Sequence, residues 1–137
     1  MRLCTYLLFN GDCADAFRFY EQAIGGRNLE LLPHRGTPAA AHVPADWQDK
    51  IMHACLEVGD AALMGSDVPP EHRKPPGGFS VSYQAADEAE AERIFAALSE
   101  GGTVTMPMEA TFWAKRFGML IDRFGIPWMI NGPAAEA

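Results

Sequence analysis

The sequence predicts an α+β fold made of two tandem βαβββ modules. Three observations predict it. The hydrophobic patterns run strand–helix–strand–strand–strand, and then the same order runs again. Each helical pattern opens on an aspartate (Asp12, Asp87) and closes on a glycine pair (Gly25-Gly26, Gly101-Gly102). Between the two runs, residues 67–78 hold four prolines and two glycines, the composition of a linker or flap. Repetition of element order at low sequence identity is an architectural signal. Neither half can cover its own sheet face. The halves are therefore expected to form a curved mixed, mostly antiparallel sheet around a cleft, with the helices outside. The whole chain, residues 1–137, reads as a single domain, with module one at about 2–67 and module two at about 78–131.

Each element has its own warrant. Leu3 to Phe9 is an apolar run of strand length that Asn10-Gly11-Asp12 breaks. Asp12 is suited to cap a helix, with Asp15 at its third position, and Cys13, Ala16, Phe17, Tyr20, Ala23 and Ile24 recur at helical spacing. Arg27 to Leu32 reads as a strand closed by Pro33, and residues 34–49 as a long polar loop in which Trp47 is the one aromatic. Ile51 to Val58 and Ala61 to Ser66 are strands joined by a tight Gly59-Asp60 turn. The second module repeats this. Phe79 to Gln84 is a strand, and Asp87 with Glu90 three residues on is a capping box. Ala91, Ile94, Phe95 and Leu98 form an apolar helix face, and Thr103 to Met106, Phe112 to Ile121 and Ile126 to Asn131 are strands. The last two, with the turn around Phe124-Gly125 between them, would carry two tryptophans and three phenylalanines within 17 residues. Such rings either fill a core or line a pocket.

Composition narrows the function classes. With 18 acidic and 11 basic residues the formal net charge is −7, against the basic surface that nucleic-acid binding needs. No apolar stretch approaches the ~20 residues of a membrane span, and the short apolar run after Met1 does not fit a secretory signal. Cys4, Cys13 and Cys55 lack metal-type spacing and read as buried, reduced thiols of a cytoplasmic protein. No Gly-x-Ser-x-Gly, P-loop or Rossmann fingerprint is present.

Several segments carry a family likeness. They are Phe9 to Ala16, the Phe19-Tyr20 pair, Ile51-Met52-His53-Ala54, Met64-Gly65-Ser66-Asp67, Phe112-Trp113 and Trp128-Met129-Ile130-Asn131. On these residues the chain resembles, over about residues 2–131, the PhnB-like branch of the vicinal oxygen chelate superfamily. That superfamily includes glyoxalase I, extradiol dioxygenases and bleomycin- and fosfomycin-resistance proteins; the branch is also labelled a 3-demethylubiquinone-9 3-methyltransferase domain. The resemblance implies a divalent metal held from the first and fourth strands of each module by His, Gln or Glu. The corresponding positions align to Thr5, Met64, Ser80 and Met129, none of them a ligand for a hard divalent ion. The methyltransferase label gains no support from Gly25-Gly26-Arg27, which follows a helix instead of opening one.

The expectation is thus a small-molecule-binding protein with no cofactor, a homodimer by resemblance, binding neither nucleic acid nor membrane. Its lining is read as Thr5, His53, Met64, Ser66, Ser80, Trp113, Met129 and Asn131, with no catalytic residue assigned. His53 is the one histidine inside a strand, on a face shared with Cys55 and Glu57; it reads either as a base or ligand, or as an imidazole bonded to backbone. Alternation places Trp113 on a face with Lys115, Phe117 and Met119, and turns Trp128 toward a helix. The alternative is a metal-dependent lyase or dioxygenase with non-standard ligands, His53 and Glu57 or Glu109 among them. A third reading is a non-catalytic dimer with a vestigial cleft.

Overall fold

The computed structural model describes residues 2–136. The chain divides into two compact units, meeting at Lys74 and Pro75. In the first, strand β1 (Thr5–Phe9) leads to helix α1 (Cys13–Ile24) and then to β2 (Arg27–Pro33), β3 (Ile51–Val58) and β4 (Ala61–Asp67). In the second, β5 (Val81–Gln84) leads to α2 (Glu88–Ser99) and then to β6 (Thr103–Glu109), β7 (Phe117–Ile121) and β8 (Pro127–Asn131). Each unit is thus a βαβββ module, as the repeated order predicts.

Pairing follows one plan in both. The sheet orders are β1-β4-β3-β2 and β5-β8-β7-β6. The first and fourth strands of a module run parallel, while the other neighbours are antiparallel. The hydrogen-bond ladders close within a module, so the unit of pairing is a four-stranded sheet, not the one continuous sheet expected from the sequence. The last strand of each module returns beside its first, so β1 and β2 are the edge strands of one sheet and β5 and β6 those of the other.

One face of each sheet packs on its own helix. In the first unit Leu7, Phe9, Ala54, Leu56 and Leu63 are buried with Phe17 and Tyr20 of α1, and Phe9 meets Phe17 edge-on at 6.1 Å. The approach is close: a Cβ added at Gly65 would lie 2.8 Å from both the Leu7 carbonyl oxygen and the Phe17 ring. In the second unit Leu120, Trp128 and Ile130 are buried with Ala91, Ile94 and Leu98, and a Cβ at Gly118 would lie 2.7 Å from the Phe95 ring. These small residues let sheet and helix approach to packing density.

Two buried carboxylates tie the turns. Asp67, at the end of β4, accepts from the backbone N–H groups of Gly11 and Cys13 through Oδ1 and of Ile51 through Oδ2. Asp122 accepts from the N–H groups of Phe124 and Ile126 and from the Trp128 indole, the last at 2.9 Å.

The helix caps differ. Asp87 accepts from the Glu90 N–H at 2.7 Å, and Glu90 returns a bond to the Ala86 N–H, a capping box displaced by one residue. Asp12 makes no side-chain cap bond; Asp67 serves that end of α1 instead. Gly25 closes α1 at φ 71°, the left-handed conformation of a C-cap. A Cβ at Gly26 would lie 2.6 Å from Leu56, so this pair serves helix termination and packing.

Three expectations about extent change. β6 runs on to Glu109, β5 starts at Val81, and β7 starts only at Phe117. Residues 111–116 form a loop in which Thr111 Oγ1 accepts from the Ala114 N–H and Ala114 bridges Ala134. Trp113, Lys115, Phe117 and Met119 therefore do not share one strand face. Of the three free thiols, only Cys13 is buried; Cys4 and Cys55 are half-buried.

Candidate functional site

The face of each sheet turned away from its helix is the candidate site, since that is where side chains are not spent on the helix-packed core. Alternation assigns it once the core residues are known. In the first unit it carries Tyr6 and Leu8 of β1, Met64 and Ser66 of β4, and His53, Cys55 and Glu57 of β3. Register sets Tyr6 opposite Met64 and Met64 opposite Cys55. In the second unit it carries Ser82 and Gln84 of β5, Met129 and Asn131 of β8, and Phe117 and Met119 of β7. Register makes two rows, Gln84–Asn131–Phe117 and Ser82–Met129–Met119.

This geometry corrects part of the expected lining. Thr5 pairs with Leu63 and shares the parity of buried Leu7 and Phe9, so it faces the helix side. The residue opposite Met64 is Tyr6. Ser80 precedes β5, and the residue opposite Met129 is Ser82. The alignment of Thr5 with Ser80 joins a helix-facing position to an outward one. Met64, Ser66, Met129, Asn131 and His53 keep the outward parity, and Trp128 turns to the helix side, fully buried.

In the first unit, the Tyr6 hydroxyl lies 3.2 Å from His53 Nδ1, and the two rings stack at 5.7 Å with planes 30° apart. The Tyr6 O–H donates to Nδ1 when the imidazole carries its proton on Nε2. The pair reaches across β4, and it fixes the orientation of the imidazole. His53 is thus bonded to a side chain, and the backbone-bonded reading does not hold. Nearby groups are poor ligands. Burial, followed by the charge of Glu30, raises the Cys55 thiol above its ordinary range, so the thiolate that binds metal is disfavoured. Glu57 accepts from Asn28 at 2.8 Å and from Arg27 at 3.3 Å. Those two bonds hold its carboxyl below the usual carboxylate range.

In the second unit, the Ser82 hydroxyl oxygen accepts from Gln84 Nε2 at 2.8 Å and from Asn131 Nδ2 at 3.3 Å. Trp113 meets Phe117 edge-to-face at 5.2 Å and Phe112 at 4.8 Å. Phe117 is buried, whereas Trp113 is 45% exposed and Phe112 91% exposed. The C-terminal residues hold this loop: the Ala135 N–H donates to the Trp113 carbonyl and the Lys115 N–H to the Pro133 carbonyl. Sequence reasoning missed Tyr6, Ser82 and Gln84.

A divalent metal does not fit the donors that these positions offer. Phenol, hydroxyl and two thioethers stand at Tyr6, Ser82, Met64 and Met129. Hard ions favour carboxylate oxygens and borderline ions such as Zn or Ni favour imidazole, whereas thioether suits soft ions. Among the described residues no group of three or more His, Cys, Asp or Glu side chains could hold a metal ion. Glu109 is exposed at the edge strand beside Phe117, and His53 is in the other unit.

The two modules, each with its parallel first and fourth strands, make up a glyoxalase/bleomycin-resistance-type fold. Within it the chain belongs to the family described as 3-demethylubiquinone-9 3-methyltransferase, whose model matches residues 1–131. It is 32% identical to the protein YjdN of Escherichia coli, over 96% of this chain and 95% of that one. Among solved structures, protein PA1353 of Pseudomonas aeruginosa superposes with a TM-score of 0.87 at 50% identity, covering 97% of this chain and 98% of the other. A PhnB protein of Bacillus cereus superposes at 0.72 with 21% identity, covering 96% and 98%.

Proposed function

We propose that this protein binds a small, largely apolar molecule on the outward faces of its sheets, without a metal ion. The observation that carries the reading is the pair of in-register positions on the first and fourth strands, Tyr6 opposite Met64 and Ser82 opposite Met129. Methionines there make adaptable apolar walls and poor metal sites. Trp113, half exposed beside Phe117, supplies a ring face for stacking. Methyl transfer, which the family description names, is not our reading. The Gly25-Gly26 pair is accounted for as a helix end and a close contact with Leu56, not as a phosphate or nucleoside turn. The reading includes a homodimer, supported by the outward apolar side chains of Leu3 and Phe112. No helix among the described residues is long and apolar enough to cross a membrane.

Thermal denaturation tests the binding reading. A ligand that binds only the native state must raise the midpoint. A panel of aromatic metabolites, quinones and antibiotics is expected to contain compounds that raise it for chelator-treated protein. The reading fails if added Zn, Ni, Fe or Mn raises the midpoint and no compound does.

A further inference from the structure

The second sheet carries a hydrogen-bonding array whose valences specify a ligand class. Ser82 Oγ accepts two amide N–H groups, from Gln84 and from Asn131. A hydroxyl oxygen has two acceptor sites and one hydrogen. With both sites taken, Ser82 can only donate to whatever lies over it. Each amide keeps its second N–H and its carbonyl oxygen. Ser82 and Gln84 are exposed and Asn131 half-buried. The array thus presents neutral donors and acceptors side by side, the pattern by which Asn and Gln read the donor–acceptor edge of a base.

Its neighbours are apolar. Asn131 lies opposite Phe117, and Ser82 lies in the row of Met129 and Met119. Met106 continues that row on β6. Strands stand ~4.8 Å apart, so the Phe117 position lies about 10 Å from that of Gln84 across Asn131. That is the length of a two-ring aromatic with a polar edge. Trp113, edge-on to Phe117, adds a half-exposed ring at the aromatic end. From β5 to β7 neither row holds a charged side chain; Glu109 pairs with Phe117 only on the outer strand. An anion finds no counter-charge in these rows.

We propose that this face binds an uncharged planar ring carrying a hydrogen-bond donor next to an acceptor, as in a lactam. The ring lies on the Met129–Met119–Phe117 floor against Trp113, and the polar edge meets Gln84, Ser82 and Asn131. The inference rests on the metal-independent binding proposed above and names its ligand class.

The probe is 2-quinolinone, titrated calorimetrically and by the side-chain amide resonances of Gln84 and Asn131. Saturable binding is expected, with both amides and the Trp113 indole shifting. N-methyl-2-quinolinone, whose donor is blocked, is expected to bind at least about tenfold more weakly, because a site group is left unpaired. Gln84→Met is expected to weaken 2-quinolinone about tenfold, with the thermal midpoint unchanged, since Gln84 is exposed. Equal binding of the N-methyl compound would overturn the donor–acceptor edge. Tighter binding of N-methylquinolinium or 2-naphthoate would overturn the uncharged class while leaving a small-molecule site in place. If none of these probes binds and the protein holds a stoichiometric metal, both this inference and the reading it rests on fail.

Discussion

Asp122 shows how much one side chain can carry. Its carboxylate satisfies two turn N–H groups and the buried Trp128 indole. Removing it leaves that indole N–H buried without its acceptor, at about 1–3 kcal/mol for the one group and more with the turn bonds. Asp122→Ala is expected to lose about 3 kcal/mol or more in urea unfolding, and Trp128→Phe less, because the two turn N–H bonds to Asp122 remain. Gly65→Ala adds a methyl group where 2.8 Å separates it from the Leu7 carbonyl and Phe17; overpacking of this kind costs about 1–3 kcal/mol. The thiols divide by burial. Burial foremost, then the charges of Asp67 and Asp12, pushes the Cys13 thiol far above its ordinary 9.0. Native protein at pH 8 is expected to alkylate at Cys4 and Cys55 and spare Cys13, as peptide mass spectrometry would show. The sign for stability follows from linkage. Above pH 9 the unfolded thiol ionises while the folded one stays protonated. Stability from this group is therefore full below that pH and is lost as pH rises, with a limiting slope of about 1.4 kcal/mol per unit.

At the scale of the element, the two helices differ in how they begin. Asp87 caps α2 directly, whereas the start of α1 is held by Asp67, 54 residues away from Cys13 in sequence. Asp87→Ala is expected to cost about 1 kcal/mol, and Asp12→Ala much less, since Asp12 makes no side-chain cap bond. Differential scanning of the two variants would separate them. The sequence made both helices, the order of elements along the chain and the β3 boundaries legible, because period and punctuation are local signals. It made Thr5 legible as a strand residue but not its direction, because parity in β1 is set by which of Leu7 or Leu8 packs on α1. Both are leucines, and only Phe17 beneath Gly65 decides between them. Likewise Phe112 to Ile121 read as one strand, because nothing local announced that Thr111 would close a turn onto Ala114. The Ser82–Gln84–Asn131 array was illegible for the same reason: its members meet only through the parallel β5–β8 ladder, 49 residues apart at their widest separation from Ser82 to Asn131.

At the scale of the molecule, the same plan occurs twice and the two copies have diverged in what they present. One sheet offers a tyrosine–histidine pair, the other a neutral amide array beside aromatic rings. What they share is methionine at the fourth-strand position, Met64 and Met129, with no carboxylate or imidazole opposite. The proposed homodimer would sediment at about twice the 15.0 kDa chain mass, and Phe112→Ser is expected to shift it toward monomer. The proposed function has these positions binding a molecule and not a metal. Elemental analysis of untagged protein after dialysis tests it most directly. Ni, Zn, Fe and Mn are all expected far below one ion per chain; a stoichiometric divalent ion retained through dialysis would overturn the metal-free reading.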